Sequence, residues 1–252
     1  MQHTHSFEKS ALPVFGLSDE YPAGFVDPVH AHDRIQVLYA CSGVMSVVTP
    51  TTSFVVPPQR ALWLPAGMLH EVSCRGPVSL RTLYVDPARY SRAPECRVIE
   101  VSEFLRALIL KVASFGRQYD VHGQHGRIIE VLLDEIAAMP IAPYGATMPT
   151  DARLLRVCKA ILANPADNRD VDDMARIAGM ARRTFTRAFK RETGMGLAAW
   201  RQQVRLMEAL SLMAVGRPVT TIAFDVGYDS PSAFTAMFRR AYGVPPSMYA
   251  LP

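Results

Sequence analysis

Two sets of side chains have types and spacing that could do chemistry. Arg183, Thr186, Arg187 and Lys190 recur at i, i+3, i+4 and i+7, so a helix puts them on one face, with Arg182 at its start. Phe185, Ala188 and Phe189 fall on the opposite face. A helix with an apolar back and a basic, hydrogen-bonding front suits the major groove of double-stranded DNA, where arginine can pair with guanine through two hydrogen bonds. Taken alone, such a charge run also describes a solvated surface. The second set is His30, His32 and His70, with Gln36. An HxH pair on extended chain points both imidazoles to one face. A third histidine from a distant strand then closes a set able to hold a divalent ion. An amide is a poorer ligand for a hard cation than a carboxylate, so Gln36 weakens the metal reading. The alternative is a polar lining for a ligand pocket.

The elements that must position the basic set are legible. Residues 171–177 read as a helix with Val171, Met174, Ala175 and Ala178 inward, Asp170 as its N-cap and Asp173 at N3. Gly179 stops it, and a second helix begins near Arg182. Residues 219–243 repeat the pattern. Ile222, Ala223 and Gly227 match Met174, Ala175 and Gly179 at an offset of 48; Phe234, Phe238, Arg239, Arg240 and Gly243 match Phe185, Phe189, Lys190, Arg191 and Gly194 at an offset of 49. A repeated helix-turn-helix can set two reading helices on successive major grooves. A helix over 197–214, about 27 Å long at about 1.5 Å per residue, would be the spacer. On the second reading helix, about 231–241, the DNA-facing positions are Pro231, Ser232, Ala233 and Ala236, so Arg239 and Arg240 read as phosphate contacts. The first motif should carry base discrimination and the second should anchor, with Ser232 at a base edge or phosphate.

Upstream the text changes. Residues 1–25 read as irregular, with His3 and His5 in a polar tail. From 34 to 85 come six short β-rich runs broken at Ser42-Gly43, 49–52, Pro57-Pro58, 65–67 and Gly76-Pro77, a pattern for a small antiparallel barrel or jelly roll. Leu38, Tyr39, Met45 and Trp63 are the inward candidates for an effector pocket, with plain core as the competing role for Tyr39 and Trp63. Two apolar-striped helices follow, from Ser102 to near Gly116 and over 126–138. They can cover the barrel or pair with a second subunit. The Pro- and Gly-rich stretch 141–150 is the best linker, so the expected layout is 1–140, linker 141–150, and an all-α domain 151–252 opened by an Asp151-capped helix.

Composition agrees. Residues 1–150 hold 12 Lys+Arg against 14 Asp+Glu, and residues 151–252 hold 15 against 9, so the positive charge sits with the helix-turn-helix repeat. Cys41, Cys74, Cys96 and Cys158 are scattered, which fits neither a zinc ribbon nor a disulfide framework. No signal peptide or membrane-length apolar run is present, so a cytoplasmic protein without a membrane partner is expected.

The run Ile222-Ala223…Val226-Gly227-Tyr228…Phe234…Phe238-Arg239-Arg240…Gly243-Val244-Pro245-Pro246-Ser247…Tyr249 resembles the signature of the AraC/XylS regulators, whose DNA-binding domain carries two such motifs. The likeness covers about the last hundred residues. By position it implies base-facing roles for Arg183, Thr186 and Arg187. It departs at Ala181, where the family has a capping Ser. His30-Ala31-His32…Gln36…Gly43 and Pro65-Ala66-Gly67…His70 resemble the two cupin motifs, and imply a cupin-like barrel with His30, His32, His70 and an acid as ligands of a divalent metal; here the acid's position holds Gln36. Together these imply an α+β, two-domain transcription regulator and not an enzyme. Its partners would be promoter DNA, a small-molecule effector, a second copy of the chain, and RNA polymerase if it activates. Two alternatives stay open: a metal-dependent cupin enzyme with secondary DNA binding, and a DNA binder whose barrel only dimerises.

Overall fold

The structure, a computed structural model, describes residues 11–74, 76–90, 95–116, 118–142 and 145–249; His3 and His5 lie outside them. The chain divides into two compact units, one from 1–49 with 56–144, the other from 50–55 with 145–252. Among the described residues, no helix is long and apolar enough to cross a membrane.

The first unit is an antiparallel sandwich with two helices. Its strands are β1 (Val14–Tyr21), β2 (Val26–His30), β3 (Ile35–Ser42), β4 (Met45–Val48), β6 (Arg60–Leu64), β7 (His70–Cys74), β8 (Val78–Val85), β9 (Arg97–Glu100) and β10 (Ile141–Ala142), where β5 (Thr52–Val56) belongs mainly to the other unit. One sheet runs β1-β8-β3-β6-β9-β10, and β4, β7 and β2 are neighbours in the second. The six runs expected between 34 and 85 are β3 to β8. The expected barrel does not close among the described residues: β1 and β10 are the two edges of an open sheet.

One strand, β1, arises where an irregular segment was expected, and β2 arises between that segment and the expected β-rich runs. β1 pairs with β8 along its whole length despite Asp19 and Glu20, because Val14 and Phe15 are buried at one end and the polar end runs out toward solvent. β2 contains Pro28, which cannot donate to a ladder; the register against β7 shifts between Asp27 and His30, which is where a strand tolerates proline.

β3 is buried along most of its length, and its alternation sorts its side chains to opposite faces. Ile35, Val37 and Tyr39 join Trp63, Leu83 and Val85 in a core beneath helices α1 (Glu103–Ala113) and α2 (Gln124–Ala138). The helices contribute Leu105, Ile109, Val112, Ile129, Leu132 and Ile136 to it. Ser102 caps α1 by accepting from Leu105 N. The two helices thus cover the sheet, one of the two roles expected for them.

The second unit is helical. The stretch expected as a linker holds β10 and then β11 (Gly145–Thr147), which pairs with β5. Then come α3 (Ala152–Ala163), α4 (Val171–Ala178), α5 (Arg182–Thr193), α6 (Leu197–Ala214), α7 (Val219–Asp225) and α8 (Pro231–Tyr242). Caps fix the starts: Asp151 on α3, the reciprocal Asp170–Asp173 pair on α4, and Ser230 on α8. α5 begins at Ala181 with no side-chain cap. Phe185, Phe189, Trp200, Phe234 and Phe238 are fully buried.

Candidate functional site

The first site is the outer face of α5. Its inner residues Phe185, Ala188 and Phe189 are buried, so the 3.6-residue repeat forces Arg183, Thr186, Arg187 and Lys190 to the outside, where all four are exposed. Arg183, Arg187 and Lys190 have no hydrogen-bond or ion-pair partner among the described residues. Arg182 is different: its Nη1 donates to Asp172 Oδ2 at 2.8 Å, tying α5 to α4. The Thr186 hydroxyl donates to Arg182 O at 2.9 Å and keeps its lone pairs for an incoming donor. On α8, Ser232, Arg239 and Arg240 are exposed, as are the apolar Ala233 and Ala236 between them. The first motif therefore presents three long polar groups and the second presents mainly its C-terminal arginine pair.

The two motifs are held together by an arginine that sequence reasoning passed over. Arg205, on the spacer α6, donates to Pro165 O at 3.0 Å, Gly227 O at 3.1 Å and Asn168 Oδ1 at 2.6 Å. Its guanidinium also lies 5.5 Å from the Tyr228 ring centroid. It thus joins the α3–α4 connection to the turn of the second motif. Burial lowers its pKa from the ordinary value. Gly227, which it grips, has φ +83°, and a Cβ there would come within 2.8 Å of Ala166 Cα. Arg201 beside it donates to Arg169 O at 2.7 Å. In sequence these arginines look like any solvated charge on a long helix.

The second site is a cleft in the sandwich unit, walled by Leu17, Leu38, Val72 and Leu80 and edged by Asp19, Tyr21, Asp27, His30, His32, Gln36, Thr82 and Tyr84. Of the four expected pocket residues, Leu38 lines it. Tyr39 and Trp63 do not: one step along a strand reverses the face, and both sit in the core under the helices. Met45 is fully buried and is not among the lining residues. Asp19 and Tyr21 were missed because residues 1–25 read as irregular, and Asp27 lies between that segment and the β-rich runs expected from 34; the period-two spacing of Leu17, Asp19 and Tyr21 was the available signal.

The three expected histidines do converge. His30 and His70 are Cα partners across β2 and β7, and Gly67 N donates to His32 O at 2.7 Å, binding the two sequence motifs to each other. Ring centroids lie 4.3 Å (His30–His70), 4.8 Å (His30–His32) and 5.7 Å (His32–His70) apart. One ligand nitrogen from each falls within 4.8 Å of the others. His30 Nδ1 is 2.7 Å from Pro28 O, and His70 Nδ1 is 2.9 Å from Met68 O. A carbonyl only accepts, so each Nδ1 carries the proton and each Nε2 keeps a lone pair. His32 Nε2, His70 Nε2 and Gln36 Oε1 are buried with no hydrogen-bond partner among the described residues. Gln36 Nε2 donates to Tyr84 Oη at 3.4 Å. Burial and the neighbouring imidazoles lower His32 to about 4, and burial lowers His70. Imidazole nitrogens gathered in this way fit a divalent ion.

Comparison with known proteins gives the family. The AraC-like ligand binding domain matches residues 12–135, and a helix-turn-helix domain matches residues 174–251. The HTH-type transcriptional regulator NimR of Escherichia coli strain K12 is 28% identical over 222 residues, which cover 88% of this chain and 81% of NimR. The arabinose operon regulatory protein of the same strain is 27% identical over 143 residues, 54% of this chain and 49% of that protein. The chain thus spans most of the first relative and about half of the second. ToxT of Vibrio cholerae aligns over 94% of this chain and 98% of its own with 12% identity and a TM-score of 0.41. The sandwich unit with its cleft and the paired helix-turn-helix motifs correspond to the two matched domains, and the chain belongs to the AraC family of DNA-binding transcriptional regulators.

Proposed function

We propose that α5 reads the base sequence of a promoter site, that α8 anchors on phosphates, and that a small molecule in the sandwich cleft controls the outcome. The observation that carries this reading is the outward row of Arg183, Arg187 and Lys190 without partners among the described residues, on a helix whose other face is buried. Unpaired long cations held by a rigid helix are suited to base edges and phosphates. The cleft supports an effector with apolar bulk against Leu17, Leu38 and Leu80 and a donor or cation toward Asp19. Promoter DNA as partner favours a cytoplasmic protein. A second copy would pair through the outer face of α1 and α2, where Phe104 and Val131 are exposed.

The test is a gel shift on the DNA flanking its own gene at two salt concentrations. Arg183→Ala should weaken the cognate site by about 1–3 kcal/mol while leaving random DNA nearly unchanged. Arg239→Ala should weaken both and reduce the salt slope by about one. Equal losses from both variants on both DNAs would overturn the division of labour.

A further inference from the structure

We propose that the histidine cluster binds one divalent transition-metal ion and that its carboxylate ligand is Asp27, on β2, in place of an acid at position 36. The inference concerns the sandwich unit alone and stands whether or not an effector enters the cleft.

Three observations carry it. Three imidazoles from two neighbouring segments bring ligand nitrogens within 4.8 Å of one another. His30 and His70 have each spent Nδ1–H on a backbone carbonyl, which fixes Nε2 as a lone pair; such outer partners orient the imidazoles of metal sites. His32 Nε2 and His70 Nε2 are buried with no hydrogen-bond partner among the described residues, an arrangement that costs free energy until a partner arrives. A Lewis acid satisfies all three at once.

The acid follows from the break in β2. Residues three apart on a regular strand face opposite ways. The register shift between Asp27 and His30 brings the two side chains together, and Asp27 Oδ2 lies 3.7 Å from His30 Nε2. That nitrogen is the one that would ligate, so the carboxylate stands beside one of the three donors. Gln36 is held by Tyr84 through its amide nitrogen, which leaves Oε1 as a neutral donor at most. Three imidazoles and one carboxylate select a borderline ion such as zinc, cobalt(II) or nickel over magnesium or calcium.

The experiment uses the full, untagged chain, stripped with chelator. Zinc is titrated calorimetrically, and cobalt(II) is followed by its visible d–d absorption. One ion per chain is expected, with a rise in the midpoint of thermal unfolding when it binds. His70→Ala and the milder His30→Gln should each abolish the tight site, with circular dichroism confirming the fold. Asp27→Asn should weaken the site at least about tenfold and alter the cobalt spectrum. Glu71→Gln removes the carboxylate next to His70 on the other face of β7, and should leave affinity unchanged. The double variant His3→Ala/His5→Ala should keep the ion. Absence of a stoichiometric ion in the wild type, or loss of the ion in the His3/His5 variant, overturns the site. Wild-type affinity in Asp27→Asn overturns the assignment of the acid.

Discussion

Gly227 and Gly179 sit at matching points of the two helix-turn-helix repeats, yet their surroundings make them unequal. Both have a left-handed backbone, with φ +83° and +64°. Around Gly179 an added Cβ meets nothing within 4 Å, whereas at Gly227 it meets Ala166 Cα and O at 2.8 and 2.9 Å. Gly179→Ala should therefore cost about 1–2 kcal/mol, the intrinsic cost of a left-handed residue. Gly227→Ala should cost distinctly more, because backbone must move as well; chemical denaturation of the two variants compares them directly. Arg205 is the other residue whose weight comes from its neighbours. Arg205→Ala leaves several carbonyls of the α3–α4 connection and the second turn without their charged donor, and should cost about 2–3 kcal/mol. Arg205→Lys should rescue little, since a single ammonium cannot span the fork's three directions. A lysine variant as stable as the parent would show that charge alone matters.

Whole elements were legible where local physics decides them, and obscure where tertiary neighbours do. α3, α4 and α6 follow from apolar spacing with Asp, Gly and Pro punctuation, and their positions agree with the sequence expectation. β1 and β2 were not legible, because acidic residues and Pro28 lower strand propensity and only the pairing with β8 and β7 makes up for it. That loss extended to the cleft, since Asp19, Tyr21 and Asp27 ride on those strands. The His30, His32 and His70 set was readable from its motif spacing. The misplacement of Tyr39 and Trp63 came from face parity: β3 is covered on both sides, so hydrophobicity says which residues are buried but not toward which layer. α5 also keeps a local weakness. Its N-cap, Ala181, has extended backbone and no cap bond, so Ala181→Ser should add about 1 kcal/mol to the helical unit, read as a higher midpoint of denaturation. An unchanged midpoint would mean that the first turn gets its support elsewhere.

Across the whole chain, charge and structure divide along similar lines, with the positive surplus in the segment that holds both helix-turn-helix motifs. The helical unit does not begin at its first helix, however. Trp200 Nε1 donates to Thr147 O at 2.8 Å, Met148 N donates to Thr51 O at 2.7 Å, and Glu192 Oε2 accepts from Asp151 N at 2.9 Å and Thr150 N at 3.1 Å. Glu192 stands in the last turn of α5, so the chain just before α3 is fastened to the helix with the outward basic face. A fragment beginning at Gly145 should melt higher than one beginning after Asp151, by differential scanning calorimetry. Equal melting would show these bonds to be idle.

The same pairing of β11 with β5 bears on how this regulator can be recombined. A chimera that splices a foreign reader onto the sensor at the obvious junction inherits a recipient strand at 52–56 evolved for another donor. Grafts that carry residues 50–55 along with 145–252 keep both halves of that pairing, and should give working hybrids where single-cut exchanges fail.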